Sequence, residues 1–87
     1  MALTGKLRRI LEERFPSPDE VELRDEDGII GVVTSKAFRR MNTMKRQDEI
    51  HNLLTAHLTP QEMRRVVFIV AATPEEKLAH TAGQVLP

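Results

Sequence analysis

The sequence predicts an α+β domain, a three-stranded mixed sheet with helices packed on one of its faces. Three observations carry this expectation. Residues 3–15 and 50–58 place their apolar side chains at helical spacing. Two strand-like stretches flank the turn-forming Asp25-Glu26-Asp27-Gly28. A β-branched run, Val66–Ala72, follows far enough behind the second strand for a helical crossover to set it parallel.

Each element has a local cause. Leu3, Leu7, Ile10, Leu11 and Phe15 form one apolar stripe, and Lys6, Arg8, Arg9, Glu12 and Glu13 fill the other side of the helix. Pro16-Ser17-Pro18 stops it, since proline lacks the N–H that the helical ladder needs. Residues 20–24 alternate polar and apolar, the pattern of a strand with one wet face, and Ile29–Thr34 returns as its hairpin partner. Ser35 is placed to cap a short helix over residues 36–41. In the next helix Ile50, Leu53, Leu54, His57 and Leu58 make a continuous stripe. Thr59-Pro60-Gln61-Glu62 has the cap, first-turn proline and N3 glutamate of a helix start, and Thr73-Pro74-Glu75-Glu76 repeats the pattern after the last strand. Residues 1–81 therefore read as a single domain and residues 82–87 as a loose tail without periodicity.

Composition narrows the function classes. The 87 residues contain no cysteine, which removes disulfides, thiolate metal sites and thiol nucleophiles, and suits a reducing cytoplasm. Thirteen basic and thirteen acidic side chains balance, so no global field draws the chain to nucleic acid or to an anionic membrane. The longest apolar run falls far short of the ~20 residues of a membrane span. No GxSxG or HExxH pattern is present and no nucleophile–base–orienter set assembles, so the chain reads as non-enzymatic.

Several motifs have plain structural readings. His51 and His57 lie six apart, off the i, i+4 spacing of shared metal ligands; His57 reads as a partly buried residue of the apolar stripe, His51 and His80 as exposed. The Asp25-Glu26-Asp27-Gly28 segment lacks the further oxygens of a calcium loop and reads as a turn. Gly28-Ile29-Ile30-Gly31 has the spacing of a nucleic-acid-binding GxxG loop but falls in a hairpin strand instead of between helices. Arg39, Arg40, Lys45 and Arg46 remain as a local basic patch, a candidate surface for phosphate or for an acidic partner.

The element order, with Val33-Thr34-Ser35-Lys36-Ala37-Phe38, Lys45-Arg46-Gln47, Ile50, Leu54 and Thr73-Pro74-Glu75-Glu76, resembles the BolA family over roughly residues 3–77. The resemblance implies the αββααβα class II KH-like fold. It also implies a regulatory or adaptor protein that binds a monothiol glutaredoxin, with links to stress response and to transcription regulation through duplex DNA. Gln47 stands where many members have histidine, and the Lys-Arg-Gln form is similar to the branch associated with acid stress. Family members share a [2Fe-2S] iron–sulfur cluster with the glutaredoxin through a histidine opening the third strand and a cysteine or histidine of the first hairpin loop. Here those positions hold Arg65 and the Asp25-Glu26-Asp27 loop. A guanidinium has no lone pair for iron, and carboxylates match a cluster iron poorly, so the chain is expected to hold no cofactor. The family's tryptophan after the Thr-Pro-Glu segment is absent, with Lys77 near its place. The expected partner-binding residues are Arg39, Arg40, Lys45, Arg46, Gln47 and Arg65; a monomer or weak homodimer in the cytoplasm, away from membranes, completes the reading.

Overall fold

In the computed structural model, which describes residues 3–78, the first apolar stripe forms helix α1 (Leu3–Arg14), with Leu7, Ile10 and Leu11 buried. Strands β1 (Glu20–Asp25) and β2 (Ile29–Thr34) pair antiparallel, from Glu20 opposite Thr34 to Asp25 opposite Ile29. The turn between them takes positive φ at Asp27 (53°) and Gly28 (124°), as a hairpin connection that follows the sheet's twist requires. Asp25 belongs to the strand, one residue beyond the boundary expected from alternation.

After β2 the short helix expected over 36–41 forms as a 3₁₀ helix over Lys36–Arg40, one residue shorter. Ser35 caps it as anticipated, accepting a bond from the Ala37 N–H. Helix α2 (Thr43–His57) starts well before its apolar stripe, because the Asn42 side chain caps it through the Lys45 N–H. Helix α3 (Pro60–Arg65) carries a complete capping box between Thr59 and Glu62. Strand β3 (Val66–Ala72) then runs parallel to β2, giving sheet order β1-β2-β3. Residues 74–78 are helical and begin with a second reciprocal box between Thr73 and Glu76. His80 and the 82–87 tail lie outside the described residues.

The sheet's two faces differ. Odd-numbered positions of β1–β3, including Val21, Leu23, Ile29, Val33, Ile69 and Ala71, meet Leu7, Leu11, Phe15, Phe38, Ile50, Leu54 and Leu58 in a single core. Glu22, Arg24, Ile30, Val32, Phe68 and Val70 face the other way, with Phe68 52% and Val70 39% exposed. This is the expected layering, helices on one face, and among the described residues no helix is long and apolar enough to cross a membrane.

His57 departs from its expected burial. It is exposed at the last residue of α2, where the chain leaves for α3, and its Nδ1 lies 3.0 Å from the Leu53 carbonyl of its own helix. Leu54 and Leu58 are the buried residues of that end of the stripe, with Leu53 packed partly against them.

Candidate functional site

The β1–β2 loop and the α3–β3 junction meet at one end of the sheet. Gly28 seats the loop there: an added Cβ would lie 2.5 Å from Val67 Cγ2 and 3.5 Å from the Arg65 carbonyl oxygen. Asp25 closes β1 and Arg65 closes α3, and their side chains form an ion pair, Nη2 to Oδ2 3.7 Å. Both are substantially exposed. Arg24 and Glu26 form a second pair at 3.6 Å, and Asp27 sits exposed at the tip.

This end of the sheet holds the positions at which the resemblance implies cluster ligands. Their donor chemistry does not fit a [2Fe-2S] cluster: one position carries a cation, already matched by a carboxylate, and the loop adds only further carboxylates. His51 lines a different surface, a groove of Thr55, Leu58, Pro60 and Met63 between α2 and α3. Among the described residues no three His, Cys, Asp or Glu side chains converge.

The basic cluster divides in two. Arg39 is bound by Glu75 through two bonds of 2.9 and 2.6 Å. The pairing raises the guanidinium's pKa and, through the same hydrogen bonds, holds the Glu75 carboxyl below its ordinary range. Arg46 is turned inward, its side chain 13% exposed. It donates to the carbonyls of Met41 (2.9 Å) and Ala71 (3.3 Å) and to Glu76 Oε1 (2.6 Å), with its guanidinium 6.0 Å from the Phe38 ring centre. Gln47 is 3.5 Å from the Ile69 carbonyl. Arg46 and Gln47 therefore occupy outward carbonyls along the free edge of β3, a structural use that the expected contact role did not include. Only Arg40 and Lys45 of the four basic residues have no ion pair among the described residues, and both are exposed.

The acidic partners Glu75 and Glu76 stand in the Thr73-Pro74-Glu75-Glu76 segment, whose sequence pattern marks a helix cap and part of the family resemblance and gives no pairing for its carboxylates. Their like charges, lying opposite a basic cluster, were the available signal for this pairing.

No family model matches the sequence, and no curated protein matches it by sequence. Two solved structures from Arabidopsis thaliana match the fold. BolA1 superposes with a TM-score of 0.67 at 23% identity, covering 87% of this chain and 96% of its own. The BolA domain of SufE1 superposes with a TM-score of 0.64 at 26% identity, covering 83% and 92%. Element order, sheet topology and these superpositions agree: the chain has a BolA-like fold.

Proposed function

We propose that this chain is a non-enzymatic BolA-like adaptor that acts by binding a protein partner, a monothiol glutaredoxin being the class that the resemblance implies, and that it contributes no ligand to a cluster. The observation supporting this reading is the Arg65–Asp25 ion pair in a chain whose fold superposes on BolA proteins over nearly their whole length. Binding rests on shape and hydrogen bonding at the α2–β3 surface and the hairpin end, and neither requires iron.

The test is a titration of the chain into a monothiol glutaredoxin, apo and cluster-loaded, followed by calorimetry and by visible absorption. The reading expects binding to both forms with similar affinity and no change in the cluster's charge-transfer bands. Absence of binding to either form, or a new stable spectrum with histidine character, contradicts it. The duplex-DNA reading has less support, because two of its four basic residues are neutralised within the fold.

A further inference from the structure

We propose that residues 74–78 form a strap clamped by ion pairs across one end of the open sheet face, and that rising ionic strength releases it. Alternation along the strands puts Glu20, Thr34 and Ala72 side by side on that face, one row beyond Glu22, Val32 and Val70. The two rows differ in cover. Val70 is 39% exposed, whereas Thr34 is 5% and Ala72 9% exposed. Ala72 is not a member of the core cluster on the other face, so its cover comes from the chain that turns back at Thr73. Thr34 accordingly shares a cleft with Pro74, Lys77 and Leu78 of the strap.

Charge, and not apolar burial, holds the strap down. None of its side chains is fully buried, and Leu78 is 71% exposed. Three consecutive residues instead tie it to three elements: Glu75 to Arg39 of the 3₁₀ helix at 2.6 Å, Glu76 to Arg46 of α2 at 2.6 Å, and Lys77 to Glu20 and, at 3.2 Å, Glu22 of β1. Lys36 adds a further attraction to Glu75. All the paired groups but Arg46 and Lys77 are about half exposed, so dissolved ions reach and weaken these contacts.

Packing beneath the strap is incomplete. The cleft between it and the start of β1 measures about 440 Å³, and Pro18, Glu20 and Lys36 complete its walls. Thr34 Oγ1 is buried with no hydrogen-bond partner. Closure thus strands a hydroxyl that opening returns to water, a cost that works against the ion pairs. A segment with few apolar contacts and exposed polar ties is the kind that opens while the rest of the fold stays intact. Opening adds the Glu20-Thr34-Ala72 row to the open face, so ionic strength sets how much of that face is accessible.

Amide hydrogen exchange of the full chain, followed by NMR at constant pH, tests the proposal at the Lys77 N–H, which bonds the Thr73 carbonyl at 3.0 Å while the strap is helical. Salt is raised from a low level to about 1 M NaCl, where the screening length falls to ~3 Å. Exchange at this amide should outpace that of the β2–β3 ladder throughout and should rise about two- to fivefold with salt. Arg39→Met and Lys77→Met, both on the surface, should each raise it by a similar factor at low salt, and together they should remove most of the salt response. Thr34→Val should lower it, since the closed strap then strands no hydroxyl. Ladder protection in the same spectra shows that each variant is folded, and the salt series on the wild-type chain needs no variant. A position-77 amide that exchanges only together with the ladder, that ignores salt, or that is unmoved by Thr34→Val overturns the proposal.

Discussion

Gly31 lies on the core side of β2, where an added Cβ would stand 2.5 Å from Leu23 Cδ2, 2.7 Å from the Glu22 carbonyl oxygen and 3.2 Å from Ile69 Cδ1. One of those neighbours is backbone and cannot move alone. Gly31→Ala should therefore destabilise the fold by overpacking, by about 1–3 kcal/mol, read as a lower urea midpoint with an unchanged slope. Arg46 is the other decisive residue, joining the 3₁₀ turn, α2, β3 and residues 74–78 through one guanidinium. Arg46→Ala leaves the Met41 and Ala71 carbonyls without these donors and should cost about 1–3 kcal/mol. Arg46→Lys should recover only part of it, because a single ammonium cannot reproduce the fork that serves three acceptors. A residue that acted only as a surface contact for a partner would leave the urea midpoint unmoved in both variants. Sequence spacing grouped Arg46 with its basic neighbours and gave no direction for its side chain, since the acceptors come from residues 5, 25 and 30 positions away.

At the scale of elements, two short helices are held by the same device. Glu62 accepts the Thr59 N–H and also pairs with Lys6 of α1 at 2.9 Å; Glu76 accepts the Thr73 N–H and also pairs with Arg46 of α2. Each capping carboxylate thus ties its helix start to a helix distant in sequence. The Thr59 N–H and then Lys6 hold the Glu62 pKa below its ordinary value; for Glu76 the larger cause is Arg46, followed by the Thr73 N–H. Because these values are lowered in the folded state, the unfolded chain binds more protons as pH falls, so the stabilisation is present above the ordinary glutamate pKa of 4.5 and is lost on acidification below it. Thermal unfolding followed from neutral pH down through that region should show a falling Tm, and the combined Glu62→Gln and Glu76→Gln variant should show a shallower fall. An equally steep fall in that variant would place the acid sensitivity elsewhere. Sheet edges show a related pattern. Arg8 of α1 donates to the Val21 carbonyl on the β1 edge at 3.1 Å, while Arg46 and Gln47 face the β3 edge. Side chains from the helical layer thereby occupy edge carbonyls that would otherwise be open to another strand.

For the molecule as a whole, charge balance is local as well as global. Lys77 holds both Glu20 and Glu22, Arg39 holds Glu75, and Arg65 holds Asp25, so the surface is largely a mosaic of pairs. On the face that carries the basic cluster, Lys36, Arg40 and Lys45 have no ion pair among the described residues. Any binding of duplex DNA through that face should be confined to low salt, with a log–log slope no steeper than about −3 from three neutralised phosphates. Fluorescence anisotropy across a salt series measures it, and a slope near −6 or steeper would require a larger basic surface than this fold presents. By itself the sequence determined the element order, the stops at Pro16 and Pro18, both capping boxes, the hairpin and the mixed sheet, because these follow from proline and glycine backbone chemistry, caps and apolar periodicity within a few residues. Only the tertiary structure decided that Arg65 meets Asp25, that Arg39 and Arg46 serve Glu75 and Glu76, that His57 is exposed, and that Phe68 and Val70 share an open face with Glu22 and Arg24. Those outcomes depend on which distant side chains the sheet register and helix docking bring within a few ångströms, and no local pattern encodes that separation.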